Sequence, residues 1–176
     1  MTPAPPAPTP SPTPPPTPTA TPTPTPTCPF TGSSDLETLE NLVHAEAEAV
    51  NTKNIEIIKT IFAPSALISD AVRGESSTDP VARYQDQFAR LDFKEVQHTA
   101  PEPIGPGIQA DVAYFTSGNT GYWRFIGGEW NWFENTPRSD PDTPFGSDHW
   151  TFSKNGRGCW IITKFEFNAG HVPFPP

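Results

Sequence analysis

This chain has little of several things, and each shortage excludes a class. It has one methionine and only two cysteines in 176 residues. No Cys-x-x-Cys occurs and no cysteine stands beside a histidine, so nothing points to a thiolate metal site. Basic residues number 11 against 20 acidic ones, a formal net charge of −9. They form no run or stripe, which argues against nucleic acid and anionic membrane surfaces as partners. No apolar run approaches the length needed to cross a bilayer. The tract after Met1 has neither a basic start nor an apolar core, so it does not read as a signal peptide. No motif with metal-ligand spacing and no cofactor fingerprint is present, and neither a metal nor a cofactor is expected.

Proline is abundant instead, with 25 residues, most of them near the N-terminus. Residues 1–30 are almost only Pro, Thr, Ala and Ser. Such a tract has no apolar surface to offset its ordering entropy. It reads as an extended polyproline-II-like spacer, about 3 Å per residue. Spacers join things, so the chain reads as a tethered module, extracytoplasmic or surface-tethered rather than cytoplasmic. Residues 31–172 fit one domain of ordinary size, and 173–176 form a short tail. Cys28 and Cys159 are read two ways: a bond stapling the root of the spacer to the last strand, or two free thiols.

Within the domain, Ser34 followed by Glu37 is a capping-box start for a first helix. Leu36, Leu39, Val43 and Val50 recur at helical spacing, and Glu46 falls on that apolar stripe. Asn54 opens a short second helix that Pro64 stops. The strand "ALISD" (66–70) puts Ala66, Ile68 and Asp70 on one face. Asp79 and Pro80 open a third helix carrying Val81, Tyr84, Phe88 and Leu91. Then come strands: 93–100 with Val96 and His98 on one face, a link at 101–107, 108–116, a turn at 117–121, 122–126, and 129–134. A polar, Pro-rich loop (135–146) leads to a final hairpin. There Asp148, Trp150 and Phe152 share a face. In the last strand Trp160 and Ile162 fall opposite Phe165, which calls for a cover, and a homodimer partner is the expected one. Three helices followed by mainly antiparallel strands make an α+β domain.

The segments "IFAPSALISD", "ADVAYF" and "SDHWTFSKNGRGCWI", with Asn51 and Asn54 between the helices, resemble the nuclear transport factor 2-like fold. Within it they are most similar to SnoaL-like and ketosteroid-isomerase-like proteins. The resemblance implies a cone-shaped α+β barrel, three helices packed on a strongly curved, mainly antiparallel sheet. It also implies that Asp70 matches the isomerase base and Asp148 the acid that donates to the enolate oxygen. The oxyanion-hole tyrosine falls on Glu46, and an ionised carboxylate cannot donate, so steroid isomerisation itself is not expected.

From periodicity alone, Glu46, Asp70, His98 and Asp148 aim at the interior and are the candidate catalytic groups. Carboxylates in an apolar cavity are pushed toward their neutral forms, which suits acid–base work. Tyr84, Tyr114, Trp123, Trp130, Trp132, Trp150 and Phe165 are the candidate ligand-binding aromatics. His44, His149 and His171 read as surface residues. Two functions stay open. The preferred one is a tethered module that binds a small apolar molecule, dimerises, or both. The alternative is a small acid–base enzyme (isomerase, cyclase, dehydratase or hydrolase-like) using Asp70 and Asp148.

Overall fold

The computed structural model describes residues 1–3, 27–70, 74–90, 93–133 and 147–167. Most of the spacer, the 135–146 loop, His171 and the C-terminal tail lie outside the described residues.

Three helices form where the caps predict. Helix α1 (Asp35–Thr52) starts at Ser34, whose hydroxyl accepts from the Glu37 N–H at 3.1 Å. The capping box is only half made, because the Glu37 carboxylate turns to the Ser33 N–H, 2.6 Å away. Helix α2 (Ile55–Ile61) is capped by Asn54, which accepts from Glu56 N–H at 3.1 Å. Helix α3 (Pro80–Arg90) is capped by Asp79, which accepts from Ala82 N–H at 2.9 Å. Its buried face is Pro80, Tyr84 and Gln87; Val81 and Phe88 are only half-buried.

Among the described residues eight strands make the sheet: β1 (Phe62–Asp70), β2 (Glu75–Ser77), β3 (Phe93–His98), β4 (Glu102–Gln109), β5 (Val112–Ile126), β6 (Glu129–Phe133), β7 (Ser147–Lys154) and β8 (Trp160–Phe167). The path runs β2-β1-β8-β7-β5-β3, with β4 and β6 also on β5. Among the described residues, only β1 and β8 run parallel. Two sequence expectations fail here. Residues 117–121 are not a turn but the middle of the 15-residue β5. There β5 changes partners: its first half pairs with β4 and β7, its second with β3 and β6. Ser-Gly-Asn-Thr-Gly reads as a turn by composition, yet the small residues serve a bend. A Cβ on Gly118 would come within 3.2 Å of Thr99 Oγ1, which accepts the Gly118 N–H. The 101–107 link is likewise strand β4, bulged between Pro103 and Ile108, where Gly105 and Gly107 take positive φ.

A register shift also overturns the face assignment of β8. Thr151 pairs with Lys164, but Phe152 pairs with Ile162. The extra residue flips the side-chain alternation. Trp160 and Ile162 therefore share the buried face with Phe165 and Phe167. Trp160 is covered from within the chain: its Nε1–H donates to Asp35 Oδ1 at 2.8 Å and Lys154 lies over its ring. The outward apolar face that called for a dimer partner does not exist on this strand.

Cys28 and Cys159 are bonded, 131 residues apart in sequence. Closing so long a loop removes denatured-state entropy worth about 4–5 kcal/mol in the chain-entropy account. The Cys28→Ser/Cys159→Ser variant is therefore expected to lose about 2–5 kcal/mol of unfolding free energy in urea titration. An unchanged midpoint would show that the bond constrains nothing.

Candidate functional site

The concave face of the sheet carries an unusual number of buried ionisable groups. Glu46, Asp70, His98 and Asp148 are each less than a tenth exposed. Glu46 arrives on the apolar stripe of α1, among Leu42, Val43 and Val50. Asp70 ends β1 in the alternation with Ala66 and Ile68. Asp148 lies two residues before Trp150 on β7.

His98 reaches the interior through a bulge. Glu95 takes φ 54°, and the pairing of β3 with β5 slips after Lys94. Asn51, near the end of α1, clamps that irregular backbone. Its Nδ2 donates to Val96 O at 2.8 Å and its Oδ1 accepts from Val96 N at 2.7 Å. Phe93, Val96 and His98 consequently all point inward.

Three of the four groups meet. Glu46 Oε2 lies 2.7 Å from His98 Nε2, and both side chains are fully buried. Glu46 Oε1 accepts from the Tyr84 hydroxyl at 2.5 Å. The other imidazole nitrogen, Nδ1, is 3.5 Å from Asp148 Oδ2. Aromatic rings wall the group. Trp150 and Phe165 stack at 3.8 Å between centroids, and both meet the His98 ring edge to face. The Trp150 Nε1–H is satisfied by Ser117 Oγ at 2.7 Å. Asp70 stands apart. It pairs with Phe167 on β8, with β7 beyond, so its backbone lies about two strand spacings, ~10 Å, from that of Asp148.

The surroundings set the titration of this cluster. Burial pulls the His98 pKa down, but the hydrogen bond to Glu46 and the charges of Glu46 and Asp148 outweigh it, leaving it above its ordinary value. Burial, then the Glu46 charge and hydrogen bond, push the Tyr84 phenol well above its usual range, so it remains a neutral donor.

The aromatic candidates divide. Tyr84, Trp150 and Phe165 line the cluster, as above. Tyr114 lies on the opposite face of β5 from buried Ala113 and Phe115, because alternation puts it outside. Trp123 pairs with Lys94, and the Lys94 Nζ sits 5.4 Å from the Trp123 ring and 4.5 Å from the Trp130 ring. Phe125, 37% exposed, packs on Trp130. Trp123 and Trp130 thus belong to the outer face; the β3 irregularity that turns both Phe93 and Val96 inward leaves Lys94 and its partner outside. Trp132 is opposite Trp123 by backbone register, but its side chain lies outside what is described. His149 is not a surface residue: it is 9% exposed, and burial lowers its pKa, opposed by Glu166. Its place between Asp148 and Trp150 in a strand read as one-sided hid this. His44 is exposed as expected.

Two cavities lie elsewhere. One of about 270 Å³ is lined by Phe30, Thr31, Asn41, His44, Ala45 and Glu48. One of about 150 Å³ lies between Ile58, Phe62, Pro64, Pro80 and Val81. Neither touches the His98 cluster. Among the described residues, no group of three or more His, Cys, Asp and Glu side chains is arranged to hold a metal ion.

With this geometry in place, solved structures supply the class. A ketosteroid isomerase-like protein from Erwinia carotovora atroseptica SCRI1043 is 13% identical, over 77% of this chain and 95% of that one, with a TM-score of 0.56. A nuclear transport factor 2-like protein from Cytophaga hutchinsonii ATCC 33406 is 10% identical over 76% and 96%, at 0.54. The hexachlorocyclohexane dehydrochlorinase LinA-type3 from Novosphingobium barchaimii LL02 is 12% identical over 73% and 81%, at 0.54. No protein-family model matches the sequence, and no curated protein matches it. The chain has the nuclear transport factor 2-like α+β fold, with three helices against a curved, mostly antiparallel sheet. At these identities the likeness is one of fold.

The raised His98 pKa has a definite sign. A folded value above the unfolded ~6.5 means that protonated His98 stabilises the fold. That contribution is fully present below about pH 6.5 and is lost as pH rises through the folded value. In urea unfolding between pH 5.5 and 9, wild type is expected to lose stability relative to His98→Gln as pH rises. A difference that is flat, or grows, would contradict the cluster's electrostatics.

Proposed function

We propose that this domain is an acid–base catalyst that moves a proton at carbon in a small apolar substrate, with Glu46 and His98 as its working pair. The observation that carries this reading is His98 held between two carboxylates within a wall of rings. An Nε2–H donated to Glu46 fixes the tautomer and leaves Nδ1 as the proton acceptor. The pull of Glu46 and Asp148 that raises the imidazole pKa also makes it a stronger base and holds the imidazolium once formed. Tyr84 fixes the Glu46 carboxylate from the other side.

The substrate is read as bearing a hydrogen-bond acceptor beside its acidic C–H. Gln87, on the buried face of α3 with Tyr84, is 3% exposed, and its Nε2 meets no hydrogen-bond partner among the described residues. A ligand oxygen would satisfy it. A dehydrochlorinase and a ketosteroid isomerase-like protein share the fold, and their names denote elimination and isomerisation, which fits proton chemistry on apolar molecules. The Asp70 role of the alternative reading passes to His98.

Two measurements test this. Cyclic ketones such as cyclohexanone, incubated in D2O, should exchange their α-protons faster with the protein than in buffer. His98→Ala should cut that rate by about 10²–10⁴-fold. No acceleration, or acceleration that survives His98→Ala, counts against the reading. Gln87→Leu should leave the melting temperature unchanged or higher, since Nε2 has no partner to lose, and should weaken ketone binding relative to a hydrocarbon of the same shape. A lowered melting temperature would mean the amide is already paired.

Full enclosure of the Glu46 and His98 side chains favours a second reading, a non-catalytic module that holds a small apolar ligand. The Pro/Thr-rich tract supports tethering, and the Cys28–Cys159 bond supports an oxidising, extracytoplasmic setting. No helix is long and apolar enough to cross a membrane, among the described residues. A homodimer remains part of this reading through the outer aromatics Trp123, Phe125 and Trp130. Here an apolar ligand should raise the melting temperature equally in wild type and His98→Gln.

A further inference from the structure

The side chains of Glu46 and His98 are shut off from solvent, so a substrate reaches them only if a side chain moves. The two cavities differ as starting points. The larger one opens beside His44 and Glu48 on α1. Those residues lie two positions to either side of Glu46, about 200° round the helix, so the body of α1 stands between that cavity and the cluster. The smaller one, of about 150 Å³, is lined by Phe62. The same ring meets Tyr84 at 5.6 Å and Phe165 at 6.5 Å between centroids. Tyr84 donates to Glu46, and Phe165 meets His98 at 6.2 Å. Phe62 is thus shared between the cavity and the wall of the cluster. We propose that this cavity is a binding site for one small apolar ring, the entry site for substrate, with Phe62 as the gate to the acid cluster. The proposal rests on the acid–base reading for the chemistry at its inner end.

The cavity follows from how the chain passes from α2 into β1. Phe62 is both the C-cap of α2 and the first residue of β1. Between Phe62 and Leu67 the strand advances five residues, while parallel β8 advances only two, from Ile162 to Lys164. The surplus bulges away from the ladder, and Pro64 within it has no N–H to give. Pro64 and Ser65 are exposed accordingly. Across the gap Pro80 opens α3, with Val81 beside it. A proline on each side fixes the local backbone and holds the gap open.

The lining states the class of ligand. Besides Phe62 and the two prolines it is Ile58, Ala63 and Val81, and among the described residues Lys59 is its one charged side chain. Lys59 stands at the exposed rim and is already paired with Glu56 at 2.7 Å. The other side chains carry no polar atom, so the site selects by shape and apolarity rather than by hydrogen bonds. An apolar cavity of about 150 Å³ holds a ring the size of benzene. A turn of the Phe62 side chain then joins cavity to cluster, and the cavity sets the size limit on what passes.

Benzene, an unreactive probe, tests this by nuclear Overhauser contacts in the full chain. In wild type it should contact the methyl groups of Ile58 and Val81 and also the ring protons of His98. Val81→Trp and Lys59→Trp plug the cavity from its wall and its rim, and each should abolish the His98 contact. His44→Trp, at the other cavity, should keep it. The plugs should also lower kcat/KM for ketone α-proton exchange by about 10-fold or more, as a blocked approach does. Should Val81→Trp fail to fold, Lys59→Trp, at an exposed position, still gives the comparison. Benzene that never reaches His98, or reaches it equally in the plugged variants, overturns the proposal. The expected contacts without any ketone exchange would refute the acid–base reading and leave the entry site standing. Ketone exchange that neither plug slows would refute the entry site and leave the acid–base reading standing.

Discussion

A single carboxylate organises the interior of this domain. Glu46 sits on the apolar face of the first helix, fully buried, and two partners from distant parts of the chain close on it. Tyr84 comes from the third helix and His98 from the third strand. An unpaired buried charge costs several kcal/mol, so each partner is required by the others. The remainder follows from that need. The β3 bulge turns His98 inward, Asn51 holds the bulge in place, and stacked Trp150 and Phe165 exclude water from the imidazole. Low local polarity then strengthens the interactions that keep the group together.

Much of this was legible in the sequence where local rules act alone. Ser34, Asn54 and Asp79 mark three helix starts by side-chain chemistry, and the structure begins its helices there. Glu46 declares itself as a charge on an apolar stripe. Alternation puts Asp70, His98 and Asp148 inside, and all three are buried. The fold resemblance drawn from short segments agrees with solved structures that share too little identity to prove kinship.

What was not legible has one common cause: irregular strands. Alternation assumes a regular pleat, and one extra residue inverts every face beyond it. A slip in β8 brings Trp160 and Ile162 into the core and removes the first argument for a dimer. The irregular stretch of β3 separates Trp123 and Trp130 from the interior. Residues 117–121 have turn composition and are strand, because a bent sheet needs small residues where a strand changes partners. The Tyr84–Glu46 bond, 38 residues apart, had no local signal at all. Family correspondence pointed at Asp70 and Asp148, and the geometry brings Asp148 beside the Glu46–His98 pair.

The central claim is that Glu46 holds the Nε2 proton of His98 and leaves Nδ1 to accept one. Nitrogen-15 correlation spectra of the imidazole, recorded above its titration, read the tautomer directly. The account predicts the Nε2–H form, with Nδ1 unprotonated and facing Asp148. An Nδ1–H tautomer, or an imidazole that titrates at its ordinary value like a solvated side chain, would contradict it.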